Sequence, residues 1–458
     1  MSSFAVADAA LSGVLSAAGS FLSSVPSPAR LVVAVSGGSD STGLLLALRA
    51  ALATGRYPGL SILACTVDHG LRPESADEAR AVAALCARHG IEHHIRRWEG
   101  PKPATGLSAA SREARYDLLA GIARETKAVA ILTGHTADDQ RETITMRKAR
   151  GAPESAGTSG MAAEVLFDRS VWIMRPFLAL ARDDIRTFLS QSGEGWIDDP
   201  SNRNMAYERA RVRVGLAGDN VSPEEATDAS VDRKALSEAA ADFAREHLRV
   251  YSAVDGDSPG RLVPALVART DLEGIGRALR DRGGWRAVTS LAAAMGGRVF
   301  PAGPVDRSPL RAFLESGILS RVTFGRVVYD RRKDGLYIYR ECRGILPLTV
   351  QPGERRLWDG RYWVVNASRS PLLVEAAGSH RMPYGVVADG SVPDAVAKRA
   401  GRAAPSLKTS GGEPPGAAVS VEAHLAPYDR FLPAFDLELA NALAPTFGRE
   451  PFPSPFGG

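Results

Sequence analysis

The residues best suited to chemistry lie in three short strings. The first is Ser36-Gly37-Gly38-Ser39-Asp40-Ser41. Two glycines followed by hydroxyl residues at the start of a helix offer free backbone N–H groups, the positive end of the helix dipole and extra donors, which together make an anion site. Ser39 to Ser41 are the expected helix cap. The string is not a Walker A loop, because no Lys follows the glycines at the required spacing, and it is not G-x-G-x-x-G. Asp40 adds a second requirement. A carboxylate beside bound phosphates is repulsive unless a cation lies between them, so Asp40 points to Mg²⁺. Ser36, Gly37, Gly38, Ser39, Asp40 and Ser41 are therefore the candidate phosphate-binding residues.

The second string is Asp68-His69-Gly70-Leu71-Arg72, and the third is Gly134-His135-Thr136-Ala137-Asp138-Asp139-Gln140-Arg141-Glu142-Thr143. Asp138, Asp139 and Glu142 fall within about one helical turn. Carboxylates there can simply answer the helix dipole. Counted with Asp40, they can instead hold a metal between Asp40 and one of the aspartate pair, Asp139 being the expected ligand. Asp68, His69, Gly134 and His135 are expected beside the nucleotide, although a polar turn explains Asp68 and His69 equally well. Arg112 and Arg115 are three apart and share a helix face. They can clamp phosphates or a carboxylate, with Arg112 the candidate catalytic residue, or form an ordinary solvated face. His89, His93 and His94 lack supporting cysteines or acids and read as surface histidines.

These strings need a scaffold that brings them to one edge. Leu31-Val32-Val33-Ala34-Val35 reads as a strand buried on both faces, and Leu44, Leu45 and Leu48 give the following helix its apolar side. Residues 61–67, 91–98 and 128–133 read as further strands, and 76–89 and 108–127 as helices. Strands alternating with helices predict an α/β domain with a doubly wound, mainly parallel sheet. Ligands bind beyond the carboxyl ends of such strands, where all three strings fall. Residues 150–161 read as a loop, 171–174 as a fifth strand and 181–190 as a helix. Residues 196–202 are turn-rich and acidic, and the arginines of 207–213 are placed to meet RNA phosphates.

The division predicted for the whole chain is a helical extension at 1–30, a catalytic domain at 31–216 and a linker at 217–233. A helical and β-hairpin region at 234–345, a small α+β domain at 346–440 with a disordered insert at about 399–418, and a flexible tail at 441–458 complete it. Residues 234–250 and 262–294 are read as helices, 326–340 as a β-hairpin, and Trp363 and Val365 as β-core.

With 458 residues there is room for two or three domains. A net charge of +4 permits a nucleic-acid partner without demanding one. Three scattered cysteines, Cys65, Cys86 and Cys342, exclude a disulfide framework and fit a cytoplasmic location. No apolar run approaches the ~20 residues that span a bilayer, so no membrane partner is expected.

The first string resembles the pyrophosphate loop of the ATP-pyrophosphatase superfamily, whose fold is that of the adenine nucleotide alpha-hydrolases. Taken together, Ser36 to Ser41, Val67-Asp68-His69-Gly70-Leu71-Arg72, Arg112-Glu113-Ala114-Arg115-Tyr116, Gly134-His135 with Asp138-Asp139-Gln140 and Glu142-Thr143, and Asp199-Pro200-Ser201-Asn202 resemble the bacterial tRNA(Ile)-lysidine synthetase family in order and rough spacing. Thr136 stands where that family often has His, Ser111 where it has Ala, and Ala210 where it has Asn. The resemblance implies ATP and Mg²⁺ as cofactors, L-lysine and a tRNA(Ile) with a CAU anticodon as substrates, and a two-step reaction. The wobble cytidine is first adenylated at its C2 oxygen, and lysine then displaces AMP. Asp138 or Asp139 would hold the lysine ammonium or take its proton. A thiolase on the same fold is the alternative, and the cysteine spacing counts against it. An amidating ligase would need an ammonia-producing domain, and a non-enzymatic RNA-binding protein would not need Asp40, Asp138 and Asp139 together.

Overall fold

The computed structural model describes residues 3–149, 160–198, 223–255, 262–301, 304–378, 384–386, 392–409 and 418–456. Two compact units divide the chain, Met1–Val231 with Pro453–Gly458, and Asp232–Phe452.

The first unit is built on a β-α-β alternation. Its elements are α1 (Ser3–Ser24), β1 (Ala29–Ala34), α2 (Ser39–Ala53), β2 (Leu60–Asp68), α3 (Ser75–Arg88), β3 (His93–Arg97), α4 (Leu107–Glu125), β4 (Ala130–Thr133), α5 (Ala137–Ala149), β5 (Glu164–Phe167), β6 (Val171–Met174) and α6 (Arg182–Gln191). Within the unit the strands lie in the order β5-β6-β4-β1-β2-β3. Every pairing is parallel except the β5–β6 hairpin. The sequence reading missed β5, because four residues between turn signals carry little periodicity.

β1 lies between β4 and β2 and its last four residues are buried. Leu31, Val32 and Val33 are fully buried, as are Leu44, Leu45 and Leu48 of α2. Each of these side chains contributes about 1.5–3 kcal/mol of burial. The chain leaves β1 towards β2 and β3 on one side and returns to β4 on the other. That reversal is the topological switch point, where the strand ends splay apart and leave a crevice. Register aligns the ends there: Ala34 lies opposite both Cys65 and Thr133. α1 packs on α2 and α6 through Val14, Ala18 and Leu22. Gly43 lets α2 approach α6, since a Cβ there would meet Ile185 at 2.2 Å.

The second unit departs from the sequence reading in several places. The helix Pro223–His247 covers residues 223–233 of the expected linker, and Pro223 opens it at the position where a missing N–H costs nothing. Residues 217–222 lie outside the described residues. Residues 248–255 and 262–270 are not helical. They form β7 (Leu248–Asp255) and β8 (Leu262–Thr270), paired antiparallel with a register shift between Tyr251 and Ala253. Pro264 stands opposite that irregularity, a position where a strand tolerates proline.

The β-hairpin is β10 (Val327–Arg332) and β11 (Gly335–Arg340), flanked by β9 (Arg321–Phe324). Residues 399–409 of the expected disordered insert are the end of the helix Asp394–Gly401 and the strand Pro405–Thr409, paired with Leu372–Ala376. Residues 410–417 lie outside the described residues. The expected tail is anchored instead: Leu437–Leu443 is helical and Phe452 is 3 % exposed, its N–H bonded to Asn441 Oδ1 at 2.7 Å. One core joins Val263, Val267, Tyr337 and Tyr339 to Trp358, Tyr362, Val364 and Val374, so the two stretches expected as separate domains share their apolar interior. The strand Tyr362–Asn366 buries Tyr362 and Val364 and leaves Trp363 and Val365 half-exposed, one residue out of step with the sequence reading. Trp363 stacks instead against Arg355, 4.1 Å from the ring centre.

Candidate active site

The phosphate loop leaves β1 at Val35 and turns at Gly37, which has φ +84° and would place a Cβ 2.7 Å from Ile197. The left-handed turn and the close approach both require glycine. Ile197 N–H in turn donates to Gly37 O at 2.9 Å. α2 starts at Ser39 with Gly38 as its N-cap and no side chain capping it. The serines therefore do not act as the expected cap. Ser41 Oγ donates to Gly38 O at 3.2 Å and accepts from Ser36 N–H at 3.2 Å, with Ser36 Oγ 3.3 Å away. Ser39 Oγ donates to Asp40 Oδ1 at 2.9 Å. The hydroxyls brace the loop, and the first-turn N–H groups of Ser39, Asp40 and Ser41 are left without intrahelical acceptors, ready for an anion.

The turn from β4 to α5 lies against this loop. A Cβ on Gly134 would stand 2.7 Å from the backbone of Asp40 and Ser41, so only glycine permits the contact. His135 sits beside Thr133, Nδ1 to Oγ1 2.9 Å. Thr136 precedes α5, and Asp139 Oδ2 accepts from both its N–H at 2.9 Å and its hydroxyl at 3.1 Å, the third-position half of a capping box. Thr136 thus serves where the family often has His. The two bonds fix Asp139 Oδ2 and leave its other oxygen for Arg182.

Between the two carboxylates lies Arg182, the first residue of α6. Its Nε donates to Asp40 Oδ2 at 2.8 Å, its Nη2 is 3.4 Å from Asp139 Oδ1, and its Nη1 is 3.9 Å from Glu142 Oε1. Its backbone N–H donates to Asp138 Oδ2 at 2.8 Å. Burial opposes the charge on Arg182, but Asp40 and Asp139 outweigh it and raise its pKa further. Burial also pushes Asp138 up, yet the Arg182 N–H and the Arg141 guanidinium, 2.6 Å away, hold its carboxyl below the usual range. Sequence reasoning missed Arg182 and gave Glu142 no role of its own. One signal was available: a cation at the first position of a helix opposes the dipole, so a tertiary partner must hold it there.

The remaining candidates divide. Asp68 ends β2, and its Oδ1 accepts from Gly70 N–H at 2.8 Å and Ser75 Oγ at 2.7 Å. Burial raises its pKa, but these two donors and Arg97 more than compensate and lower it. His69 stands edge-on to Trp98, ring centres 6.1 Å apart, and burial, then Arg115, lowers its pKa. Arg115, close enough to act on His69, also lies 5.9 Å over the Tyr116 ring, and Arg112 lies 5.0 Å over the same ring on an exposed position. His89 pairs with Glu194, His93 with Thr66 and His94 with Glu92. The Asp199-Pro200-Ser201-Asn202 string and the arginines of 207–213 lie outside the described residues.

Two carboxylate oxygens converging on one cation are hard donors of the kind Mg²⁺ takes, with phosphates and waters completing its shell. Asp40 and Asp139 therefore fit the divalent metal expected from the sequence. Among the described residues no group of three or more His, Cys, Asp or Glu side chains forms a metal cage by itself.

A braced phosphate loop at the switch point of a parallel sheet, with carboxylates facing it, defines a PP-loop ATP-utilising protein, and residues 15–219 match the PP-loop domain family. The chain belongs to the tRNA(Ile)-lysidine synthase family. It is 44% identical to the tRNA(Ile)-lysidine synthase of Rhizobium meliloti (strain 1021), covering 96% of this chain and 97% of that one. Against the Brucella ovis (strain ATCC 25840 / 63/290 / NCTC 10512) enzyme of the same name it is 37% identical, covering 92% and 94%. A solved U34-tRNA thiolase, NcsA from Methanococcus maripaludis, gives a TM-score of 0.40 at 16% identity over 48% of this chain and 77% of that one, too little to argue from. No described helix is long and apolar enough to cross a membrane.

Proposed function

We propose that this protein attaches L-lysine to C2 of the wobble cytidine of tRNA(Ile) with a CAU anticodon, in the cytoplasm, using ATP and Mg²⁺. The observation that carries the reading is the contact of Gly134 with Asp40, which sets the carboxylates of α5 facing the phosphate loop. Family membership supports it.

In the first step the cytidine O2 bonds to the α-phosphorus and pyrophosphate leaves. The N–H groups of Ser39, Asp40 and Ser41 offset charge on the departing phosphates. Asp40 and Asp139 would hold Mg²⁺, which would neutralise the triphosphate. In the second step the lysine ε-amine attacks C2 and AMP leaves with the former O2. That amine, pKa about 10.4 when free, reaches the site as an ammonium. Asp138, held ionised by two donors, is a weak base and suits an anchoring role for the ammonium better than proton removal.

The second unit supports an RNA substrate. A cleft of about 810 Å³ beside β9 and β10 is lined by Arg321, Arg331, Arg332, Lys333 and Arg399 against two carboxylates. Arg321 and Lys333 are exposed and make no ion pair among the described residues. Such a cleft suits the tRNA backbone.

The test is incorporation of labelled lysine into tRNA(Ile) with a CAU anticodon, its wobble-uridine variant and the elongator methionine tRNA. Only the first should be labelled, with release of AMP. Equal labelling of all three, or sulfur transfer in place of lysine, would overturn the proposal.

A further inference from the structure

Arg182 occupies the place where the carboxylates of the phosphate loop and of α5 converge. It touches Asp40 at 2.8 Å, Asp139 at 3.4 Å and Glu142 at 3.9 Å, and its side chain is only 15% exposed. The helix position is unfavourable for a cation, whose charge meets the positive end of the α6 dipole. The tertiary carboxylates must supply the compensation. We propose that Arg182 is the resident cation of the metal site: it holds Asp40, Asp139 and Glu142 in place before nucleotide arrives and yields Asp40 and Asp139 to Mg²⁺ only when metal-bound ATP enters.

The charge balance sets the order of events. With Arg182 seated, the carboxylates are already neutralised in part, and a bare divalent ion would enter beside a fixed positive charge that repels it. Metal-bound ATP is an anion overall. It offers Arg182 phosphate oxygens in exchange for carboxylate oxygens while its metal takes over Asp40 and Asp139. One cation replaces another, no carboxylate is left bare in a poorly solvated site, and the released guanidinium is ready to pair with phosphates. The site would therefore bind metal together with nucleotide and not metal alone. The inference rests on the ATP and metal reading above.

The readout is metal binding by the full chain, with Mn²⁺ as the probe and its electron paramagnetic resonance signal reporting the free ion. Four samples are needed: wild type, wild type with a non-hydrolysable ATP analogue, Arg182→Met, and Arg182→Met with Asp40→Asn. Removing the Arg182 side chain leaves its backbone N–H on Asp138, so the start of α6 keeps its anchor. Wild type alone should hold little Mn²⁺. Arg182→Met alone should bind one ion per chain roughly ten-fold or more tighter, as expected for removal of a unit charge at contact distance in a partly buried site. Adding Asp40→Asn should abolish that gain. If Arg182→Met does not fold by circular dichroism, Arg182→Gln, which keeps hydrogen bonding without charge, carries the same expectation. A folded charge-free variant that binds Mn²⁺ no better than wild type overturns the inference. So does wild type that binds the ion alone as tightly as the variant. Failure of wild type with the analogue to take up Mn²⁺ beyond what the analogue itself holds overturns the metal-nucleotide reading, and the inference with it.

Discussion

The Cβ that Gly134 lacks would stand 2.7 Å from the carbonyl carbon of Asp40, so the β4–α5 turn and the phosphate loop lie backbone against backbone. Two strings about a hundred residues apart in sequence thereby form one site. Gly134→Ala should force the turn away from the loop at a cost of about 1–3 kcal/mol. Lysine-dependent AMP release should fall with it. Gly121→Ala is the control: it lies in α4 with nothing near its absent Cβ and should stabilise by ~0.5–1 kcal/mol without loss of activity. Thermal melts and AMP release separate the two.

Asp40 contacts both the nucleotide loop and Arg182. Asp40→Asn should lower AMP and pyrophosphate formation by about 100-fold or more. Its stability cost should be about 1–3 kcal/mol, because Arg182 loses a charged acceptor in a site mostly closed to water. Near wild-type pyrophosphate release would contradict the role of Asp40 in the reaction.

Asp138 and Asp68 are both held below the usual carboxylate range in the folded protein. The unfolded chain then binds more protons than the folded one as pH falls below about 5, and stability declines. Their contribution is fully present above the unfolded value of about 3.9 and is lost as pH drops through the lower folded values. Asp138→Asn should be less stable than wild type at neutral pH and lose less on acidification. Melting temperature measured across pH 3–6 (about the range in which such carboxylates act) tests this; parallel curves would contradict it.

The Asp359 side chain is 2% exposed, and its carboxylate holds Arg326, Arg340 at 3.0 Å and Arg361 at 2.7 Å. Asp359→Asn leaves three guanidiniums without their common anion and should destabilise the second unit by about 3–5 kcal/mol. Denaturant unfolding measures the loss. A change under about 0.5 kcal/mol, typical of surface positions, would show that the arginines find other acceptors.

Arg321→Ala with Lys333→Ala should weaken tRNA binding and reduce its salt slope by up to about 2, since each phosphate contact contributes ~0.9. Affinity for an ATP analogue should not change, because the cleft is formed by residues of the second unit alone. An unchanged salt slope would remove this cleft from the RNA surface.

The sequence by itself determined the first unit's α/β class and the strand ends at or after which Asp40, Asp68 and Gly134 fall. Buried parallel strands write themselves as apolar runs, and the turn chemistry after them is local. Local signals also placed Asp138 and Asp139 in the first turn of the helix that follows β4. Only the tertiary structure decided what those carboxylates face. Arg182 lies 142 residues from Asp40, and nothing in its own neighbourhood names that partner. The roles of the serines likewise depended on the turn: with Gly38 at the cap, their hydroxyls brace the loop instead. In the second unit the strand Leu262–Thr270 reads as helix or strand alike from its apolar residues, and pairing with Leu248–Asp255 settles it. Trp363 shows the same limit on a smaller scale, since alternation gives a strand two faces and only packing against the core tells which of them is inside.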